Sequence, residues 1–298
     1  MKFFTTTKIA LVLLVAVFTG CAVSTKTKQL NTEGSMALQA GDYSKALAAY
    51  EEIITLAESN SKQAKPEVYQ SAGVAAWNLK QTDKAIGYLE KVKQADGAVP
   101  ATFSTLAMAY NDIDNLSKEI NHLESYVERY PTGEEIGEVR RQLFIAYVES
   151  ENWEPAALVW EKLDQEAMGQ EQYLTGYLKA SRKQENAKQC DVLAGKLIKL
   201  NKSNLEALEY LADKHYWLAE NSYLREMKAY EKNRTNKQYK QLLAAFKIAN
   251  VNYKTSRDYY EKLYKLSPQA SYANYLGNIY TRLENKSKAA YYYKLSKK

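Results

Sequence analysis

Few residues in this chain have the type and spacing that metal binding requires. The 298 residues include two cysteines, Cys21 and Cys190, and two histidines, His122 and His215. A zinc site needs three or four such ligands close together, and no cysteine or histidine here has another within ligand spacing. Two cysteines are also too few for a disulfide framework. We therefore expect neither a metal nor a cofactor.

Nucleophilic and acid–base chemistry is not indicated either. The sequence contains no Gly-x-Ser-x-Gly, Gly-x-x-x-x-Gly-Lys, His-Glu-x-x-His or Gly-x-Gly-x-x-Gly motif. Cys190 and His215 stand in helix-forming segments, where such residues pack more often than they react. The carboxylates are spread as on a solvated helical surface, and no acid–base pair can be singled out. The prediction is that the chain is not an enzyme.

The beginning of the chain predicts export. Lys2 and Lys8 precede an apolar run over residues 9–18. A basic start followed by a run of this length is typical of a signal peptide. The run is too short to serve as a permanent transmembrane helix. We therefore assign residues 1–20 to a signal peptide.

The end of this segment resembles the bacterial lipoprotein cleavage box. The residues are Phe18-Thr19-Gly20-Cys21, where the box usually has leucine in the place of Phe18. The resemblance implies lipid on Cys21, a membrane anchor and a short linker over residues 21–26. An ordinary secretory signal with an incidental cysteine is the alternative. Because no acidic run follows Cys21, a periplasm-facing anchor in the bacterial envelope is favoured over exposure on the cell surface.

Beyond the linker the sequence repeats with a helical pattern. Apolar residues recur three and four apart, without the alternation of strands. Small residues mark the early part of each second helix, and the first and last of them are 243 residues apart, or seven steps of about 35. These residues are Ala46, Ala85, Ala156, Ser256 and Ala289. Twelve residues before four of them stand Gly34, Gly73, Ala244 and Gly277. Small residues on two antiparallel helices let the backbones cross closely, which predicts a helical hairpin in each repeat.

These residues resemble the tetratricopeptide repeat, a helix–turn–helix unit of 34 residues. The best-matching units are the last, with Leu276-Gly277, Tyr280, Ala289 and Tyr293, and the first, with Gly34, Gly41-Asp42-Tyr43, Ala46 and Tyr50. Pro131 and Pro268 stand at the family's closing proline. Glu119 replaces the small residue of the third unit, residues 169–202 match loosely, and residues 203–236 match only as a helical pair.

The resemblance implies an all-α fold. We expect a right-handed superhelical array of antiparallel helix hairpins, a solenoid of about eight units, with its binding surface on the first helix of each hairpin.

Charge divides this array. Residues 196–298 have 21 Lys and Arg against 9 Asp and Glu, whereas residues 21–195 have 18 against 26. We therefore distinguish acidic units over residues 27–202 from basic, tyrosine-rich units over residues 203–298. Lysine interleaved with tyrosine can bind nucleic acid, but export from the cytoplasm argues against that partner. The basic units could meet an acidic partner, or they could be a solvated lysine-rich surface.

Candidate binding residues follow from the family resemblance. Ligand contacts in this family usually come from first-helix positions four residues apart, which here implies Asn274, Asn278 and Arg282 in the last unit. In the fifth unit the same positions would be Tyr173 and Tyr177. Two amides and a guanidinium on one helical face could hydrogen-bond an extended peptide or a carboxylate. A wet polar face without a ligand is the alternative.

The function favoured by these observations is an envelope-anchored scaffold that binds other envelope proteins or peptides. The alternative is a glycan- or peptidoglycan-binding lipoprotein that uses the tyrosines and lysines of the basic units. The last unit carries three consecutive tyrosines, Tyr291–Tyr293. It is therefore also a candidate for self-association.

Overall fold

A computed structural model describes residues 24–297. Fourteen α-helices and one short 3-10 helix, Ala167–Gly169, lie in this range, and it contains no β-strand. The α-helices are α1 (residues 24–39), α2 (Tyr43–Ser59), α3 (Pro66–Asn78), α4 (Thr82–Gln94), α5 (Pro100–Asp112), α6 (Leu116–Arg129), α7 (Ile136–Glu149), α8 (Trp153–Trp160), α9 (Glu171–Lys183), α10 (Ala187–Leu200), α11 (Leu205–Lys232), α12 (Asn236–Leu266), α13 (Ala270–Arg282) and α14 (Lys286–Leu295). The all-α fold class is therefore confirmed.

The segment that predicts export is only partly covered by this description. The signal peptide and Cys21 lie outside the described residues. Residues 24–26, which the sequence predicts as the end of a linker, belong to α1. Among residues 24–297, no helix combines the length and the hydropathy that crossing a bilayer requires.

The chain forms two compact units, which divide between Ala146 and Tyr147, inside α7. The first unit contains α1 to α6 and most of α7. The second contains the end of α7 and α8 to α14. The boundary between acidic and basic residues at 202/203 therefore lies within the second unit.

One kind of turn recurs between consecutive helices. Its central residue has a left-handed backbone, with φ between 54° and 75°, and occurs at Gly41, Lys80, Asp114, Glu151, Glu185 and Glu284. An Asp, Asn or Gln residue follows each time and stands directly before the next helix, as its N-cap. In four of these turns that side chain accepts a hydrogen bond from the backbone N–H three residues later, which caps the helix. Because the turn has a fixed length, it sets the same register in each of the helix pairs that it joins.

The glycines of the first helices lie under bulky side chains of the second helices. These contacts join Gly34 to Tyr50, Gly73 to Leu89, and Gly277 to Tyr293. A Cβ atom added at Gly73 would stand 2.6 Å from Leu89 Cγ, so only glycine fits this position without movement. The close crossing predicted from the repeat is confirmed, and each glycine meets the bulky residue at the same position of its second helix.

The pair α11–α12 departs from the predicted repeat. These helices have 28 and 31 residues, against 8 to 17 for the other α-helices of the described chain. The prediction of a helical pair within residues 203–236 is wrong, because α11 continues unbroken to Lys232. Ala244 and Ser256 accordingly lie on one helix rather than on two facing helices. Neither helix contains a glycine, a proline or a left-handed residue that would end it halfway. The described residues contain fourteen α-helices, enough for seven hairpins, where the spacing predicted about eight units.

Tyrosine builds much of the core of the second unit. Five tyrosines of one buried cluster are at most 7% exposed: Tyr216, Tyr253, Tyr260, Tyr272 and Tyr280. Their rings contact further tyrosines, as where Tyr260 stacks on Tyr275 with ring centroids 4.8 Å apart. Burial raises the pKa of Tyr260, so its hydroxyl stays protonated and acts as a donor. The tyrosine content of the basic units therefore serves packing to a large extent.

Candidate protein-binding surface

The recurring turn shows which first-helix residues are equivalent. Asn274, Asn278 and Arg282 lie ten, six and two residues before the left-handed residue of their own turn, Glu284. Counting back in the same way from the turn that ends α9 gives Thr175, Lys179 and Lys183. The structure therefore shifts the predicted register of the fifth unit by two residues. Residues 169–202 match the family only loosely, and this is why the sequence alone misplaced it.

Tyr173 and Tyr177, the residues predicted at these positions, pack inside the second unit. Tyr173 is 6% exposed. The ring of Tyr177 is half-buried and stacks on Trp160, with centroids 4.4 Å apart and planes 12° from parallel. Both rings contribute to helix packing in this arrangement.

The predicted residues of α13 differ in what they contact. Asn274 is exposed. The Tyr293 hydroxyl donates a hydrogen bond to Asn278 Oδ1 at 2.8 Å. Arg282 donates from Nε and Nη2 to the two carboxylate oxygens of Glu220, each at 2.8 Å. Asn278 and Arg282 thus join α13 to α14 and α11, and partner binding by this row stays a prediction.

A second set of polar contacts ties α9, α11 and α12 together. Arg182 of α9 donates to Glu206 at 2.6 Å and to Asp213 at 3.0 Å, both on α11. The Tyr260 hydroxyl of α12 donates to the other oxygen of Asp213. Burial raises the pKa of Asp213, while the bonds from Tyr260 and Arg182 act in the opposite direction. These carboxylates are engaged in holding neighbouring helices together.

An open hollow of about 460 Å³ lies on the first-helix face of the second unit. It is lined by Val148 at the end of α7 and by Glu171, Gln172, Thr175, Gly176 and Lys179 of α9. Thr175 and Lys179 are the register equivalents of Asn274 and Asn278. The hollow therefore lies where the family resemblance predicts ligand contacts, although it is formed by other residues.

Three polar side chains of this hollow differ in what they contact. Glu171 accepts hydrogen bonds from the side-chain amides of Asn204 at 2.9 Å and Asn201 at 2.7 Å, and these bonds lower the pKa of Glu171. Thr175 Oγ1 also accepts from Asn204, at 2.9 Å. Lys179 is exposed and forms no ion pair with any described residue. The hollow therefore presents a fixed carboxylate, a hydroxyl and an available ammonium group.

The first helices of the first unit carry an apolar row at the equivalent position. Six residues before the left-handed residue stand Val74 in α3, Met108 in α5 and Ile145 in α7, and all three are half-buried. Ser35 occupies this position in α1. Sequence reasoning missed this row because it did not count back from the turns. The Asp, Asn or Gln that follows each turn is the signal that could have located it.

Cys190 and the two histidines are placed as packing residues. Cys190 is 1% exposed, and burial raises the pKa of its thiol. His215 Nδ1 lies 2.7 Å from Asn252 Oδ1. His122 is fully buried, and burial together with nearby Lys93 lowers its pKa to about 4, against the influence of Glu90. In the part of the chain that the structure describes, no three metal-ligating side chains come together.

The three consecutive tyrosines of α14 are mostly engaged within the second unit. The ring of Tyr292 stacks on Tyr280 with centroids 5.6 Å apart, and Tyr293 covers Gly277. Tyr291 is 58% exposed. One ring of the three is therefore open to solvent, and self-association through this unit stays a prediction.

Comparison with known proteins agrees with this geometry. The family model of the tetratricopeptide repeat matches residues 66–98, which contain α3 and α4. No characterised protein matches the chain by sequence. The α3–α4 pair thus matches a tetratricopeptide repeat, and the described chain is all-helical.

Three solved structures are reported as similar to this chain. A protein from Bacteroides ovatus is 18% identical, with a TM-score of 0.51 over 75% of this chain and 100% of that one. The C-terminal part of a TPR repeat-containing protein from Cytophaga hutchinsonii is 16% identical, with a TM-score of 0.48 over 88% and 92%. A tetratricopeptide repeat protein from Parabacteroides merdae is 12% identical, with a TM-score of 0.45 over 92% and 93%. At these identities the first comparison supports the fold alone.

Proposed function

We propose that this chain is an envelope-anchored scaffold that binds proteins or extended peptides on its first-helix face and catalyses no reaction. The observation that carries the proposal is the open hollow at Thr175 and Lys179, at positions where the helices leave polar groups available. An extended peptide offers carbonyl oxygens and carboxylates to the Lys179 ammonium group. Its backbone N–H groups can in turn donate to Glu171 and Thr175.

The apolar row of the first unit extends the range of ligands. Val74, Met108 and Ile145 are half-buried, so apolar side chains of a partner could complete their burial. Scaffolds of this kind work through many modest contacts along a surface, which needs no catalytic cleft.

Site-specific photocrosslinking in intact cells tests the binding surface. A photoreactive amino acid placed at Lys179 should capture defined proteins. The same amino acid at Lys196, which is exposed on the second helix α10, is the matched control and should capture few. Capture of polysaccharide alone at position 179 would show that this hollow binds glycan and would contradict protein binding there. Equal protein capture at both positions, or none at either, would contradict a first-helix binding face.

The anchor rests on the lipoprotein-like box and is tested separately. We expect the mature chain to carry lipid on Cys21, to fractionate with membranes and to face the periplasm. Cys21→Ser should abolish both the lipid mass and the membrane association, measured by intact-mass spectrometry and ultracentrifugation. A mature chain that keeps an unmodified cysteine would instead indicate an ordinary secretory signal. Protease accessibility before and after permeabilising the outer membrane tests which side the chain faces.

A further inference from the structure

The long pair α11–α12 extends past the helix that packs on it. Helix α13 contacts α11 near its start, where Tyr272 donates to Glu209 at 2.5 Å, and at its own end, where Arg282 reaches Glu220. Helix α11 continues beyond Glu220 to Lys232. At 1.5 Å per residue, about 18 Å of the paired helices extends past this contact. This stretch has the length of a helix of about three turns.

The extension carries an apolar row on α12 that is exposed. Tyr239, Leu243 and Phe246 follow one another at spacings of four and three residues, so they lie on one face. Their exposed fractions are 48%, 45% and 44%. The same alternation of three and four residues continues along α12 at Asn250, Tyr253, Arg257, Tyr260 and Tyr264. Farther along, this row is covered, since Tyr260 stacks on Tyr275 of α13 and Tyr264 meets Tyr292 of α14. The bare part is thus continuous with an interface that the chain already uses.

Helix α11 supplies the other wall. The ring of Tyr223 meets Phe246 edge-on with centroids 6.0 Å apart, and Tyr230 meets Tyr239 at 5.8 Å. Aromatic rings from both helices therefore meet along one side of the pair, in an exposed surface that we call the tip groove: Tyr223, Tyr230, Tyr239, Leu243 and Phe246. Such rings offer a large contact area at little cost in side-chain entropy.

The edge of the tip groove is basic. Lys240, Lys247 and Lys254 recur every seven residues, each directly after a position of the apolar row, and all three are exposed. None of them forms an ion pair with a described residue. Residues 221–254 contain eight Lys and Arg against two Glu. In paired helices, charges at such flanking positions select partners of opposite sign.

The inner end of the groove holds a small cavity with an unsatisfied acceptor. The cavity measures about 200 Å³ and is lined in part by Tyr223, Phe246, Asn250 and Arg282. Asn250 Oδ1 is buried and has no hydrogen-bond partner among the described residues. A buried acceptor in that state destabilises the free protein, and a donor from a bound molecule would satisfy it.

We propose that the tip groove binds an amphipathic helix of an acidic partner protein, which continues the line of α13 past Arg282. The apolar side chains of that helix pack on the tip groove, and its Asp or Glu residues pair with Lys240, Lys247 and Lys254. A polar side chain at its inner end donates to Asn250. The same groove of a second copy is equally basic, so two such grooves repel each other. Residues 228–240, where the two helices join, contain five Lys and Arg against one Glu, so an anionic lipid surface is the competing ligand. Binding to anionic vesicles that equals or exceeds binding to the acidic peptide would overturn the proposal.

This surface is distinct from the hollow at Lys179, so either proposal can fail without the other. The probe is a fluorescein-labelled synthetic peptide. Its leucines are spaced alternately three and four residues apart, and glutamates occupy the positions next to the leucines. Its length is about 15 residues, at which an isolated helix becomes marginally stable in water. Its control replaces the glutamates with lysines. Fluorescence anisotropy on the mature chain should give at least about tenfold tighter binding of the acidic peptide, weakening as salt rises. Equal affinities, or no binding of the acidic peptide, would overturn the proposal.

Variants locate the site. Leu243→Ala should weaken binding of the acidic peptide by about tenfold, because it removes contact area in the centre of the row. Ile248→Ala is the matched control, since Ile248 is 58% exposed on the same helix but about 200° around it from Phe246. It should leave binding unchanged. Lys247→Glu should weaken the acidic peptide and strengthen the lysine peptide.

Circular dichroism of each variant checks that the helices remain folded. Equal effects of Leu243→Ala and Ile248→Ala would contradict the assigned groove. A mass by light scattering that doubles, and returns to that of one chain in Leu243→Ala, would show that a second copy occupies the groove and would overturn the proposal of a foreign acidic helix.

Discussion

The pair of Glu220 and Arg282 provides a quantitative test of how this fold is held together. Glu220 is 4% exposed, and both of its oxygens accept from the guanidinium of Arg282, which also lies 5.1 Å over the ring of Tyr223. Breaking a buried ion pair by removing one partner typically costs about 3–5 kcal/mol, because a charge is left without compensation. The Arg282 side chain is 36% exposed and borders a cavity, so water can partly hydrate the carboxylate. We therefore expect Arg282→Ala to lower the free energy of unfolding by about 3 kcal/mol, the low end of that range.

The opposite truncation should cost less. Glu220→Gln leaves a guanidinium that solvent can reach, with an amide still able to accept one hydrogen bond, so we expect a loss of about 1–1.5 kcal/mol. In the double variant the uncompensated carboxylate is absent, so its loss should be smaller than the sum of the two single losses. Equilibrium unfolding in urea, followed by circular dichroism, measures all three values.

The matched control is Arg257→Ala. Arg257 pairs with its neighbour Asp258 at 2.6 Å, and the Asp258 side chain is 63% exposed. Pairs of this exposed kind contribute about 0–1 kcal/mol, so the control should change little. If Arg282→Ala destabilises the chain no more than Arg257→Ala does, then burial of Glu220 does not make its pair with Arg282 important for stability.

Three further predictions concern the core, the helix crossing and the turn. The pKa of His122 is lowered to about 4 in the folded chain, against 6.5 in the unfolded chain, so the unfolded chain takes up the proton first. The free energy of unfolding should therefore decrease by up to about 3 kcal/mol as pH falls from 6.5 to 4. His122→Gln should flatten this part of a plot of the unfolding free energy, measured in urea, against pH. A Cβ at Gly73 meets Leu89, so Gly73→Ala should destabilise the chain by about 1–2 kcal/mol. A Cβ at Gly87 meets nothing within 4 Å, so Gly87→Ala should stabilise the chain by up to about 1 kcal/mol. Equal shifts of the two variants in thermal unfolding would contradict the close crossing. Glu185→Gly should stabilise by about 0.5–1 kcal/mol because φ is 56° there, and a loss of stability on urea unfolding would contradict the assigned turn.

Much of the fold could be predicted from the sequence because its causes are local. The spacing of apolar residues within about two turns makes each segment helical. Small residues at a fixed offset in every repeat bring consecutive helices together, since Gly34, Gly73 and Gly277 each contact a bulky residue of the helix that follows. The fold class and the close crossing were therefore predictable.

The candidate site was less predictable, because register and pairing depend on distant residues. Glu220 and Arg282 are 62 residues apart in sequence, and nothing in either local segment marks them as partners. Arg282 was predicted as a ligand contact from its position in the repeat, and only the structure shows that it also pairs with Glu220. Likewise Tyr177 gives no local sign that it stacks on Trp160.

Residues that lie near one another along the chain determine the helices, the pairing of consecutive helices and the close contact at each glycine. The amino-acid sequence alone is therefore enough to define these features. Which polar residues remain available, and where a helix lacks a cover, emerges only when the whole chain has packed. Helix α13 has 13 residues and α12 has 31, and only their packing leaves Leu243 and Phe246 bare beside a covered Tyr260. Exposure is a property of what lies opposite a side chain, and for these residues that is decided by segments far away in sequence.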